Sequence, residues 1–191
     1  MFFWQIIKGK VREEKGFTLF ELLVVIVIIA IFSGIIFANP NSWQDSLALE
    51  RSAPKLAQSI SQSRGMSMRG EAGVCVLGEP NGYGVYLDKS NPSEYFIYLN
   101  CSGDPSKSYN PAFDQKFDDT DISLENHIVI CGLTAGGTEQ SSLSVFFDPP
   151  DPTIFINNVS RATSSISICV EDDSSKKRII EINGAGNINL K

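Results

Sequence analysis

The run "KGFTLFELLVVIVIIAIFSGIIF", Lys15 to Phe37, constrains this chain more than any other feature. From Phe17 to Ala38 the only charged residue is Glu21. As a helix, that stretch reaches roughly 33 Å, enough to cross the hydrocarbon core of a bilayer. Lys8, Lys10, Arg12 and Lys15 precede it, against Glu13 and Glu14. Positive charge ahead of a spanning helix predicts a cytoplasmic N-terminus and an exported C-terminal part. A secretory signal peptide would have a shorter apolar core and small residues at a cleavage site, and "ANPNSWQDS" matches such a site poorly. An ordinary signal anchor gives no reason for Glu21. A lone acid in a spanning helix is costly, so it implies a partner.

The remaining length fits one globular domain, since 191 residues are too few for two large cores. The chain is 42% hydrophobic and 20% charged, as folded proteins are. Residues 1–16 sum to +2 and the rest to −8, which together give the net −6. That acidic balance disfavours non-specific capture of nucleic acid or anionic lipid. The four cysteines, Cys75, Cys101, Cys131 and Cys169, lie beyond the apolar run and never as C-x-x-C, which argues against zinc. Disulfides in an oxidising compartment are expected, with buried free thiols the alternative. Three connectivities are open. Sequence proximity and similar strand positions favour Cys75–Cys101 with Cys131–Cys169.

Asn39-Pro40-Asn41 is expected to break or kink the helix beyond the apolar run. Helical character resumes through residue 71, with Leu47, Leu56, Ile60 and Ser63 near one face and Pro54 interrupting the helix or starting its second half. From Ala72 the pattern turns to strands: "AGVCVLGE", "GYGVYLD", "EYFIYLNC", "ISLENHIVICG", "SLSVFFD", "TIFIN", "SSISICVE", "RIIEIN" and "NINL". "EPNG", Glu79 to Gly82, reads as a hairpin turn. Tyr83, Tyr86, Tyr95, Phe96 and Tyr98 alternate with aliphatic residues, as in a sheet covered on both faces. The fold class is α+β: a long N-terminal transmembrane-plus-amphipathic helix, then an antiparallel β-rich domain. The segments are 1–16, 17–38, 39–71 and 72–191.

No catalytic set is evident. His127 is the sole histidine and reads as a strand residue, and there is no G-x-S-x-G, phosphate loop or H-E-x-x-H. Acidic clusters at Asp118-Asp119-Thr120-Asp121, Asp148 with Asp151, and Glu171-Asp172-Asp173 lack EF-hand spacing and read as solvated turns. No enzyme activity, metal or cofactor is expected.

"KGFTLFELLVVIVIIAI" resembles the N-terminal signal of type IV pilins and type II secretion pseudopilins. The resemblance implies cleavage by a prepilin peptidase between Gly16 and Phe17, N-methylation of Phe17, and an assembly role for Glu21. It also implies that Glu21 of one subunit pairs with the new amine of its neighbour. Implied partners are the peptidase, other pilin or pseudopilin subunits and an inner-membrane assembly platform. The implied location is the inner membrane, single-pass, and then a periplasmic or extracellular filament. The apolar start "MFFWQII" makes Val11 an alternative translation start. "LAQSISQSRGMSMRGE", "VFFDPPDPT" and "IIEINGAGNINL" are similar, more loosely, to the GspH/FimT group of minor pilins and pseudopilins. Some members of that group capture DNA through basic residues near the C-terminal hairpin. Here the corresponding tail "GAGNINLK" offers only Lys191, and Lys176, Lys177 and Arg178 form a small basic patch directly after Glu171-Asp172-Asp173, so nucleic acid is not the expected partner.

Overall fold

The computed structural model describes residues 17–37, 40–71, 73–76, 78–101, 105–119, 121–150 and 153–191. The leader with Val11 and Gly16, Asn39 of the expected Asn39-Pro40-Asn41 break, Thr120 and Asp151 lie outside the described residues, while Pro40 and Asn41 open a helix. The chain divides into two units, Met1–Pro40 and Asn41–Lys191.

The first unit holds α1, Leu19–Phe37. Its large apolar side chains from Leu19 to Phe32 are all exposed, on every side of the helix. A helix that is apolar all round is built for lipid or for burial among other helices, not for water. Among the described residues no helix is long and apolar enough to cross a membrane. Leu19–Phe37 of the 17–38 span expected from sequence are helical.

The second unit takes in most of α2, Pro40–Arg69. Proline suits the first helical position, where its missing N–H costs no bond. Leu49, Ser52, Ala53, Leu56, Ser59, Ile60, Ser63, Met66 and Ser67 are buried, a stripe at three- and four-residue spacing. Leu49, rather than the half-buried Leu47, anchors its first turns. Contrary to expectation, Pro54 lies inside the unbroken helix. Its ring is exposed, and the acceptor it leaves is the carbonyl of Glu50, itself exposed to water. The buried residues on either side hold the helix together.

Among the described residues twelve antiparallel strands follow: β1 Pro80–Asp88, β2 Glu94–Cys101, β3 Gln115–Lys116, β4 Ile122–Ser123, β5 Ile128–Ala135, β6 Thr138–Glu139, β7 Ser142–Asp148, β8 Thr153–Ile156, β9 Val159–Ser160, β10 Ser164–Val170, β11 Asp173–Ile182 and β12 Ile188–Leu190. One sheet runs β3-β2-β1-β7-β8-β9, with β4 also on β2; the other runs β12-β11-β10-β5-β6. Val85, Leu87, Val145, Ile154 and Ile156 of the first sheet join Ile130, Leu133, Ile166, Ile168, Ile180 and Ile182 of the second in one core cluster. Leu49, Leu56 and Ile60 of α2 complete it.

The opposite face of the first sheet is covered as well, as the aromatic alternation predicts. Tyr109, from the loop after β2, lies with its ring 4.9 Å from Tyr86, 5.0 Å from Phe96 and 5.3 Å from Tyr98. Buried Asp114 fixes that loop, accepting from the N–H groups of Cys101 at 3.1 Å and Asn110 at 2.9 Å. Beneath the rings, a Cβ on Gly84 would stand 2.6 Å from the ring of Tyr98. Tyr98 cannot yield, being fully buried with its hydroxyl 2.6 Å from Ser144 Oγ. Gly84→Ala should therefore cost about 2–3 kcal/mol, read as a lowered guanidinium midpoint with an unchanged slope. A midpoint equal to wild type would show that the tyrosine can move.

One expected turn and one expected strand differ from the sequence reading. "EPNG" is no hairpin turn: Pro80 and Gly82 lie within β1, where the register with β2 shifts. The real turn follows Asp88, whose carboxylate accepts from Ser90 N–H at 2.8 Å and whose carbonyl accepts from Asn91 N–H at 3.2 Å. "AGVCVLGE" is not a strand either. Val74 and Val76 are 85% and 81% exposed, and neither lies in a strand. The side chain of Gln115 serves instead, donating to Val74 C=O at 2.6 Å and accepting from Val76 N–H at 2.9 Å.

Candidate functional site

The site begins where α1 begins. Thr18 Oγ1 accepts from Glu21 N–H at 3.2 Å, and Glu21 Oε2 accepts from Thr18 N–H at 3.2 Å. The threonine hydroxyl also donates to that carboxylate oxygen at 3.2 Å. This is a capping box: Thr18 closes the helix start and Glu21 reaches back from the third helical position, each satisfying a donor the helix leaves open. The carboxylate also sits at the positive end of the helix dipole. Glu21 thus has a use within its own chain, in addition to any partner. The spacing Thr18-x-x-Glu21 ahead of an apolar run is the sequence signal for this box. Phe17, just before the cap, is 83% exposed. Gly16 lies outside the described residues.

The basic candidates for nucleic acid fall on β11 and after β12, not in a turn. Strand alternation sends Lys176 and Arg178 to one face and Lys177 to the other. Lys176 Nζ is 4.0 Å from Asp173, Arg178 pairs with Glu50 of α2, and Lys191 Nζ is 2.8 Å from Glu181. The Ser175 hydroxyl, more than Lys176, holds the Asp173 carboxyl below its ordinary value. The patch is divided by the pleat and offset by carboxylates.

His127 is not a strand residue. It lies in the turn before β5 with a positive φ of 64°, and its carbonyl accepts from Glu171 N–H at 2.8 Å. Its exposed side chain lines an open cleft of about 640 Å³ with Asp45, Arg51, Glu125 and Asp172. Of the acidic clusters, Asp121 pairs with Lys116 at 2.6 Å and Asp148 with Lys107 at 2.8 Å. Among the described residues no group of three or more His, Cys, Asp or Glu is placed to hold a metal.

Cys75 and Cys101 form a disulfide. Cys131 and Cys169 remain thiols, so the second pairing favoured from sequence is absent. Both lie on the solvent side of adjacent strands, β5 and β10. Burial first, then its hydrogen bond with Cys131, push the Cys169 thiol up to about 12.

No curated protein and no solved structure matches this chain. Over residues 11–37, which take in the capping box and all of α1, the chain matches the family model of the prokaryotic N-terminal methylation motif, the type IV pilin-like prepilin signal.

Proposed function

We propose that this chain is a minor pilin or pseudopilin of the GspH/FimT kind. It is cut by a prepilin peptidase between Gly16 and Phe17, N-methylated on Phe17, and assembled into a type IV pilus or a type II secretion pseudopilus. The observation that carries the reading is the match of residues 11–37 to the methylation motif. An apolar helix with no polar side and an acid held at its mouth supports it.

In this reading α1 enters the inner membrane with its N-terminus cytoplasmic, and the domain from Asn41 onward is exported. Cleavage creates an ammonium group at Phe17, one residue before the cap. The Thr18 bonds both use Oε2 of Glu21, so Oε1 is the oxygen that a neighbour's amine would meet. Pairing offsets the cost of taking both charges out of water. The chain itself performs no chemistry; its work is packing into a filament beside other subunits on an assembly platform. The ion pairs on Lys176, Arg178 and Lys191 are the reason a DNA-receptor role is not adopted.

Processing tests the reading directly. Co-expressed with an active prepilin peptidase, the chain should yield a mature protein that begins at Phe17 and carries one methyl group, seen by intact mass. Gly16→Leu should leave the precursor uncut. A wild-type chain that keeps residues 1–16 beside an active peptidase would falsify the proposal.

A further inference from the structure

The remaining thiols, Cys131 and Cys169, are placed together by a specific irregularity. In the β5–β10 ladder Ser167 pairs with Gly132, Ile168 with Ile130 and Cys169 with Val129, so Cys131 is the extra residue of a β-bulge. In a regular ladder Cys131 would face Ser167, two positions from Cys169. The bulge moves it opposite the junction of Ser167 and Ile168, half a position nearer. There its thiol donates to Ser167 C=O at 3.5 Å. A bulge also turns consecutive residues to one side, and Cys131 and Gly132 both leave the core while Ile130 and Leu133 enter it. Cys169 stands on that same outer side, opposite Val129 and Lys177, yet only 2% exposed. Cys131 is exposed.

We infer that Cys131 and Cys169 form a dithiol site that exchanges with an external disulfide in a fixed order, Cys131 first and Cys169 second. In the first step the Cys131 thiolate attacks one sulfur of a small disulfide RSSR. A Cys131–SR bond forms, the S–S bond of the donor breaks, and one RS⁻ leaves and takes up a proton. In the second step Cys169 loses its proton to solvent and attacks the Cys131 sulfur. The intramolecular disulfide forms and the second RS⁻ departs. The balance is two protein thiols and one RSSR giving one protein disulfide and two RSH, with the donor as oxidant.

The order follows from access. Only Cys131 can be reached from solvent, and the thiolate is the attacking species. Burial keeps Cys169 protonated, so closure is the slow step, and Lys177 across the strand favours the thiolate when it forms. A compartment that oxidises Cys75 and Cys101 supplies disulfide donors of this class. The inference does not depend on filament assembly.

The test uses the full chain in detergent micelles, treated with oxidised glutathione, quenched by alkylation and mapped without reduction. Trypsin cuts at Arg161, between the two cysteines, so a bridge joins two separate peptides. Early samples should carry glutathione on Cys131, and later ones the Cys131–Cys169 linkage. Cys169→Ser should hold glutathione on Cys131. Cys131→Ser should leave Cys169 unmodified, at a rate at least ~10-fold below that of wild-type Cys131. Glutathione appearing first on Cys169, or persisting on wild-type Cys131 without closure, overturns the inference. So does full alkylation of both after treatment. The wild-type map alone decides the matter if a variant misfolds.

Discussion

If the chain assembles as proposed, Glu21→Ala should lower the share of mature chain recovered in filaments by about tenfold or more, with cleavage after Gly16 continuing. Losing one partner of a desolvated ion pair costs about 3–5 kcal/mol, and each ~1.4 kcal/mol is a factor of ten. Losing the capping box costs only about 1 kcal/mol. The two contributions separate in Glu21→Gln, because glutamine still accepts from Thr18 N–H but carries no charge. That variant should fail in assembly nearly as badly as alanine does. If it enters filaments at wild-type abundance, the inter-subunit pairing is wrong and Glu21 serves only the helix start.

The second large effect concerns the disulfide. Cys75 and Cys101 are 26 residues apart, and closing a loop of that length stabilises the folded state by about 3.5 kcal/mol through the unfolded chain. The Cys75→Ala, Cys101→Ala double variant should therefore lose about that much in guanidinium unfolding, and wild type under reductant should fall similarly. The bridge ties the segment around the exposed Val74 and Val76 to β2, with the Gln115 side chain alongside it. A loss below about 1 kcal/mol would mean that Gln115 and its neighbours already hold the segment, against the loop-closure estimate.

Most of the architecture was legible because two periodicities dominate the sequence. The apolar run, the stripe of α2 and the alternating strands from Tyr83 onward each announce one face or two. The errors share a physical origin in contacts distant along the chain. "AGVCVLGE" has strand composition, but the bonds of Val74 C=O and Val76 N–H run to the side-chain amide of Gln115 rather than to a backbone ladder. Pro54 is a helix breaker in isolation; here the core residues around it outweigh one missing bond on a wet face. "EPNG" has turn composition, yet Gly82 is held within β1. A Cβ there would stand 2.7 Å from Phe147 C=O, a contact with β7 that no local pattern reveals. At the N-terminus the fault was different. The capping box was written in Thr18 and Glu21, and attention to the charge concealed its hydrogen bonds.

The serines along α2 carry a mechanical consequence. Ser52 Oγ accepts from Glu125 N–H at 3.2 Å, Ser59 Oγ meets Tyr95 OH at 3.0 Å, and Ser67 Oγ accepts from Tyr83 N–H at 2.7 Å. Spread over four turns, these bonds key the rod to the strands like teeth in a rack. A pull along the rod's axis would load all three bonds together, because each joins the helix to a different segment of the domain. Tension is then shared in parallel rather than released one bond at a time, and the domain resists extraction as one piece.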